Sequence, residues 1–358
     1  MVGFAIHLEH GVRATCPLLS PGKSVLEFSS ILGDGPLILK DVHAGGWQPG
    51  LLNSLLNEDA EVDLQVSWHK YADAKFANGS IVSPGARHLR LQEALRLLRL
   101  GESMRGVPAY IRQADLATQP KLGALLPITR AMTYAGERLH KIGMWLGDSS
   151  MLSTLHHDDY HNILFLLAGR KRVLLFPTTV SSDLDLRTYA EERWMYDESL
   201  QKLSDAPEPS GRMIDNFYHL DVFSNDPAFA AQQKRVAGYG MICELSAGDA
   251  LYIPHPWAHA VISTNEPDDG FGLNLAVNVW WATDEFHQRM LMWRYGCTAL
   301  AVALFVLSFK PGLLGSSRES SDDRGTADSK SEVGERQRAE SSRVAKGSRG
   351  AKSKTKTG

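Results

Sequence analysis

Cysteine is scarce in this chain: Cys16, Cys243 and Cys297 are the three present in 358 residues. Their odd number and wide spacing predict neither a disulfide framework nor a cysteine-built zinc site, and a reducing compartment is the default. The N-terminus lacks the charged-then-apolar layout of a secretory signal, because His7, Glu9, His10 and Arg13 interrupt it early. Net charge is also small, at −3, although an acidic body is offset by a basic tail. Tyr295 to Phe309 carries no charge but is shorter than the roughly 20 apolar residues that a bilayer asks for. From Ser316 onward the chain is nearly free of aromatic and large aliphatic residues, too few to order a core, so 316–358 is expected to be a disordered basic tail.

Histidine is plentiful, at 13, and one cluster of it stands out. Leu155-His156-His157-Asp158 puts a histidine and a carboxylate two residues apart, at what reads as the start of a strand. Strand side chains alternate between faces, so His156 and Asp158 are expected to project together, although His157 and Asp159 form an overlapping pair on the opposite face. A distant segment, Gly248 to His259, reads as strand, turn and strand, with His259 opening the second strand. Two histidines and one carboxylate are the facial triad of non-haem Fe(II) sites. Downstream, Asn162 to Ala168, the turn Gly169-Arg170 and Lys171 to Pro177 read as two apolar strands joined as a hairpin.

These segments carry a resemblance. Leu155-His156-His157-Asp158 through Asn162, then Gly169-Arg170-Lys171-Arg172 and Phe176-Pro177, resemble the motifs of the JmjC/cupin-like Fe(II)- and 2-oxoglutarate-dependent hydroxylases. That group includes the hypoxia-related asparaginyl hydroxylase and the tRNA wybutosine hydroxylase. The resemblance runs loosely from about Val25 to Trp281 and favours the His156–Asp158 register over its neighbour. It implies Fe(II) held by His156, Asp158 and His259, with 2-oxoglutarate as cosubstrate and O2 as oxidant. Lys171 matches the family's lysine for the far carboxylate of the cosubstrate, a buried anion that needs a cation. Tyr110 and Ser153 match hydrogen-bonding positions, and Asn162 and Asn278 are expected to help orient the cosubstrate. Trp257-Ala258-His259 departs from the family's Trp-Trp-His by an alanine, which widens the wall, and His255 is given no ligand role.

Many short strands between turn residues indicate a barrel or jelly roll. The expected fold is mainly β with flanking helices, a double-stranded β-helix. Residues 1–142 supply flanking elements, including strands at Pro36–Lys40, Val62–Trp68 and Ala109–Gln113, a short helix at Val25–Leu32 and a clear amphipathic helix at His88–Leu100. Residues 143–285 form the catalytic core, interrupted at 181–212 by a polar stretch without strand periodicity, whose acids suit either a solvated loop or attraction of a basic substrate. Residues 286–315 form a helix that either packs, including as a homodimer contact, or spans a membrane. The compartment follows from that choice: cytoplasmic or nuclear, or anchored in an internal membrane through 290–315.

The leading expectation for function is hydroxylation of a protein side chain with release of succinate and CO2. The alternatives are hydroxylation of a modified tRNA base, demethylation of a lysine, and a cupin-like pocket that binds without catalysis. The basic tail suits tRNA, but no RNA-binding motif accompanies it.

Overall fold

The computed structural model describes residues 3–12, 14–19, 28, 32–43, 47–73, 75–77, 79–99, 108–147 and 151–308. The expected tail at 316–358 and most of the expected helix at Val25–Leu32 lie outside them. Packing separates Met1–Cys297 from Thr298–Gly358, and the site lies in the first unit.

Two nine-stranded sheets carry the fold. In one, the Met151–His156 strand lies between Ala258–Thr264 and Glu208–Tyr218, with Arg170–Phe176 beyond Ala258–Thr264. In the other, His161–Ala168 lies between Ala250–Ile253 and Asn274–Trp281, followed by Leu139–Gly147 and Ala109–Asp115. Leu164, Leu166 and Ile253 from one sheet pack with Val173, Leu175 and Val261 from the other in the space between. The double-stranded β-helix expected from the sequence is borne out.

Over their central strands both sheets are covered on their outer faces, which explains strands that read as continuous apolar runs. Ile163, Phe165 and Leu167 pack outward with Leu91, Leu95 and Leu98 of the helix Leu91–Arg99 and with Ile128 of Leu126–Ala135. Leu174 and Phe176 pack outward with Leu8 of Ile6–Gly11 and Val236 of Pro227–Ala237. A one-residue slip exchanges the two faces of a strand. In His161–Ala168 both faces would still meet apolar neighbours after such a slip, so its polar members, chiefly the buried Asn162, discriminate between registers.

Several expectations need correction. His161–Ala168 and Arg170–Phe176 are not a hairpin, because they belong to different sheets and Gly169 is where the chain crosses between them. Gly169 has φ of 77°, and a Cβ there would come within 2.5 Å of the Thr264 carbonyl oxygen and 2.6 Å of Asn274 Nδ2. The polar stretch 181–212 is not a loop either: Leu186–Arg193 and Glu208–Tyr218 pair antiparallel and widen the first sheet. Much of this pair is exposed on both faces, so no apolar alternation marks it. The helix expected from His88 begins at Leu91, since Gly85–Arg90 is a strand paired with Glu61–Val66. Cys16 and Cys243 are bonded through sulfur, 227 residues apart, because Ala14–Thr15 lies parallel to Met241–Ile242.

The C-terminal helix runs Asp284–Ser308. Among the described residues no helix is long and apolar enough to cross a membrane. A span through 290–315 therefore finds no support, and 309–315 lie outside the described residues.

Candidate active site

His156 ends its strand, and Asp158 lies in the connection to the next rather than at the start of a strand as the sequence suggested. Simple alternation therefore does not bring the two together. Two donors position the carboxylate instead: Trp280 Nε1 at 2.9 Å and Asn162 Nδ2 at 3.2 Å both donate to Asp158 Oδ2. His156 is directly opposite His259 on the neighbouring antiparallel strand, and their ring centroids are 4.3 Å apart. One ligand atom from each of His156, Asp158 and His259 lies within 4.8 Å of the others. Both histidines point Nε2 at the carboxylate, each 3.9 Å from one of its oxygens.

The remaining ring nitrogens face backbone carbonyls: His156 Nδ1 is 2.6 Å from the Thr154 oxygen and His259 Nδ1 is 3.1 Å from that of Trp257. Donation there fixes Nε2 as the unprotonated nitrogen, the state that a metal ligand needs. Burial, reinforced by the facing His156, pushes the His259 pKa down to about 4, so its imidazole is neutral near pH 7. Burial alone would raise the Asp158 pKa, but the facing imidazoles of His259 and His156 and the two donated hydrogen bonds outweigh it and hold the carboxyl ionised. Two imidazole nitrogens and one carboxylate are a donor set that fits a divalent iron site.

The three side chains open on a cavity of about 270 Å³. Lys171, 4 % exposed, lines it and is more buried than Arg112 and Arg212, the other cations there. Its Nζ donates to Ser263 Oγ at 2.5 Å, and no carboxylate pairs with it among the described residues. Desolvation lowers its pKa to about 7. A buried ammonium with only a hydroxyl partner is costly unless an anion joins it, which suits a ligand carboxylate. Tyr110, 3 % exposed, hydrogen-bonds the same Ser263.

All eight residues singled out in the sequence therefore line one cavity: His156, Asp158, His259, Lys171, Tyr110, Ser153, Asn162 and Asn278. Ser153 reaches it because the pairing register shifts between Ser153 and His156. Asn278 Nδ2 donates to Asn162 Oδ1 at 2.7 Å, so the two asparagines form a chain that ends on Asp158, and Asn278 Oδ1 has no protein partner. Sequence reasoning missed Ser263 and Trp280. Period two held the signal for both, since Ser263 shares a strand face with His259, and Trp280 with Asn278. His255, given no ligand role, instead places Nδ1 2.9 Å from the Asp158 carbonyl oxygen.

Comparison with known proteins places the chain in a family. The cupin-like domain family matches residues 30–286. Lysine-specific demethylase JMJ32 of Arabidopsis thaliana is 23% identical over 246 residues, covering 65% of this chain and 69% of that protein. Lysine-specific demethylase JMJ30 of the same plant is 26% identical over 191 residues, 53% of this chain and 37% of its own length. The human bifunctional peptidase and (3S)-lysyl hydroxylase JMJD7 is 26% identical over 231 residues, 62% of this chain and 67% of that protein. This chain thus matches little more than a third of JMJ30 but about two thirds of the other two. The chain belongs to the cupin-like domain family, and its resemblance to the JmjC oxygenases is borne out.

Proposed function

We propose that the chain is an Fe(II)- and 2-oxoglutarate-dependent dioxygenase that hydroxylates a protein side chain. The observation that carries this is the meeting of His156, Asp158 and His259 above a buried Lys171 that lacks a carboxylate partner. Fe(II) would be held by His156 Nε2, His259 Nε2 and one Asp158 oxygen. With 2-oxoglutarate and O2, Fe(II) in that site would supply the chemistry that turns a substrate C–H into C–OH, with 2-oxoglutarate and O2 consumed and succinate and CO2 released.

The chain's own residues do the rest. Trp280 and Asn162 keep the Asp158 carboxylate aimed, and the carbonyls of Thr154 and Trp257 keep both imidazoles oriented. Lys171, with Ser263 and Tyr110 beside it, binds the far carboxylate of the cosubstrate. Apolar Ile253, Val261 and Leu164 line the cavity around them and exclude water. Relatives named as demethylases and as a lysyl hydroxylase support a polypeptide substrate.

Anaerobically reconstituted protein given Fe(II), 2-oxoglutarate and O2 is expected to release succinate, with His156→Ala releasing none. Equal succinate from both would remove the assignment. Release of formaldehyde from a methylated-lysine peptide would replace hydroxylation by demethylation.

A further inference from the structure

The wall beside the metal-binding candidates breaks the strand rule. In the pairing of Ala109–Asp115 with Leu139–Gly147, Ile111 lies opposite Leu146 and Ala114 opposite Met144. Two residues, Arg112 and Gln113, therefore oppose the single Trp145, which is a bulge. Gln113 sits at φ of 53°, in the left-handed region that residues with a Cβ avoid. Arg112 and Gln113, although adjacent in sequence, both line the cavity, as does Trp145. Bulges are favoured where a side chain has to be re-aimed beside a site, and strain of this kind persists where the surroundings hold it.

The polar groups gathered there are all donors. Arg112 is half-buried and has no carboxylate partner among the described residues. Lys141 Nζ donates to Gln113 Oε1 at 2.8 Å, so the amide oxygen is occupied and its NH2 is left to donate. Trp145 Nε1 is buried without a partner. The neighbouring carboxylates are engaged: Asp158 by Trp280 and Asn162, and Asp73 by the Thr154 amide at 3.0 Å and its hydroxyl at 3.3 Å. Arg212, the other guanidinium lining the cavity, has Glu191 at 3.8 Å.

We propose that Arg112, Gln113 and Trp145 form a carboxylate-binding subsite that selects an acidic side chain of the polypeptide substrate. A guanidinium, an amide NH2 and an indole N–H without an acceptor among them match a planar anion, and a lysine ammonium would find no acceptor among these three groups. Of the polar stretch 181–212, whose acids suited either a solvated loop or attraction of a basic substrate, Arg212 is what lines the cavity, and no acid of that stretch does. The inference rests on the oxygenase reading for its substrate, but its binding test does not need turnover.

Binding of N-acetyl, N-methylamide derivatives of aspartate, glutamate, asparagine and lysine is read by saturation-transfer NMR in saturating 2-oxoglutarate, with and without Mn(II). The acidic probes are expected to bind at least roughly tenfold more tightly than the asparagine and lysine probes, the scale of a hydrogen bond to a charged group. Arg112→Gln removes that preference, while Arg112→Lys, which keeps the charge and loses the fork, restores part of it. Equal binding of all four probes, a preference that survives Arg112→Gln, or inorganic phosphate binding as tightly as the acidic probes would each overturn the proposal. Mn(II)-induced relaxation on the same samples separates the two readings. A carboxylate preference without any Mn(II) effect upholds the subsite and counts against the metal centre; a Mn(II) effect without the preference does the reverse.

Discussion

Lys171 shows most clearly how function and stability oppose each other in this pocket. Its folded pKa of about 7 lies below the ordinary lysine value of 10.5. The unfolded chain therefore holds more protons across that window, and the lysine's contribution makes the protein without cosubstrate more stable as pH rises from about 7 to 10.5. Lys171→Met should accordingly raise the melting temperature of this form at pH 7 and abolish 2-oxoglutarate binding, as thermal scans and calorimetry would show. A bound carboxylate favours the ammonium, so cosubstrate binding takes up a proton. Affinity should fall above pH 7, by up to about tenfold per unit. A flat pH profile between 7 and 9 would place the cosubstrate's anchor elsewhere. Trp280→Phe removes one of the donors that aim Asp158, and such supporting contacts are worth about 10–100-fold in metal affinity. An unchanged Mn(II) affinity in Trp280→Phe would reduce that bond to a bystander. The residues legible in the sequence were those that a family motif marks, namely His156, Asp158, His259 and Lys171, together with Tyr110, Ser153, Asn162 and Asn278. Arg112 and Gln113 escaped because a bulge cancels the alternation that sequence reading depends on, and Trp145 because an aromatic in a strand reads as core.

Among the elements, the crossing at Gly169 misled because a glycine between two apolar strands looks the same whether the chain turns back within a sheet or passes to the opposite one. The backbone decides it, as the glycine's φ of 77° and the tight approach of Thr264 and Asn274 belong to the crossing. Gly169→Ala should destabilise the protein by roughly 1–3 kcal/mol or more, the usual cost of a side chain held in a disfavoured backbone region. Urea unfolding with an unchanged midpoint would contradict that account. The pair Leu186–Arg193 and Glu208–Tyr218 was hidden for a different reason. A strand exposed on both faces leaves no hydrophobic period, and only its pairing partner defines it. By contrast Glu61–Val66, with alternate residues buried at Val62, Leu64 and Val66, was read in place.

At the scale of the whole molecule, the jelly roll was legible from a succession of short strands, but the course of the first 142 residues was not. Their strands, such as Glu61–Val66 and Ala109–Asp115, extend the second sheet instead of merely flanking it, a long-range pairing that no local pattern encodes. That extension brings Tyr110 and the Arg112 bulge to the cavity that His156, Asp158 and His259 also line. A ligand bound only by the native state stabilises it by about 2.7 kcal/mol at a hundredfold excess over its dissociation constant. Chelation of the metal should therefore lower the melting temperature, and 2-oxoglutarate should raise it only when metal is present. The most direct test is anaerobic Fe(II) titration of the full chain and of its His156→Ala variant. One ion per wild-type chain and none in the variant is the outcome predicted here; equal occupancy in the two would contradict the central claim that His156, Asp158 and His259 hold a single metal.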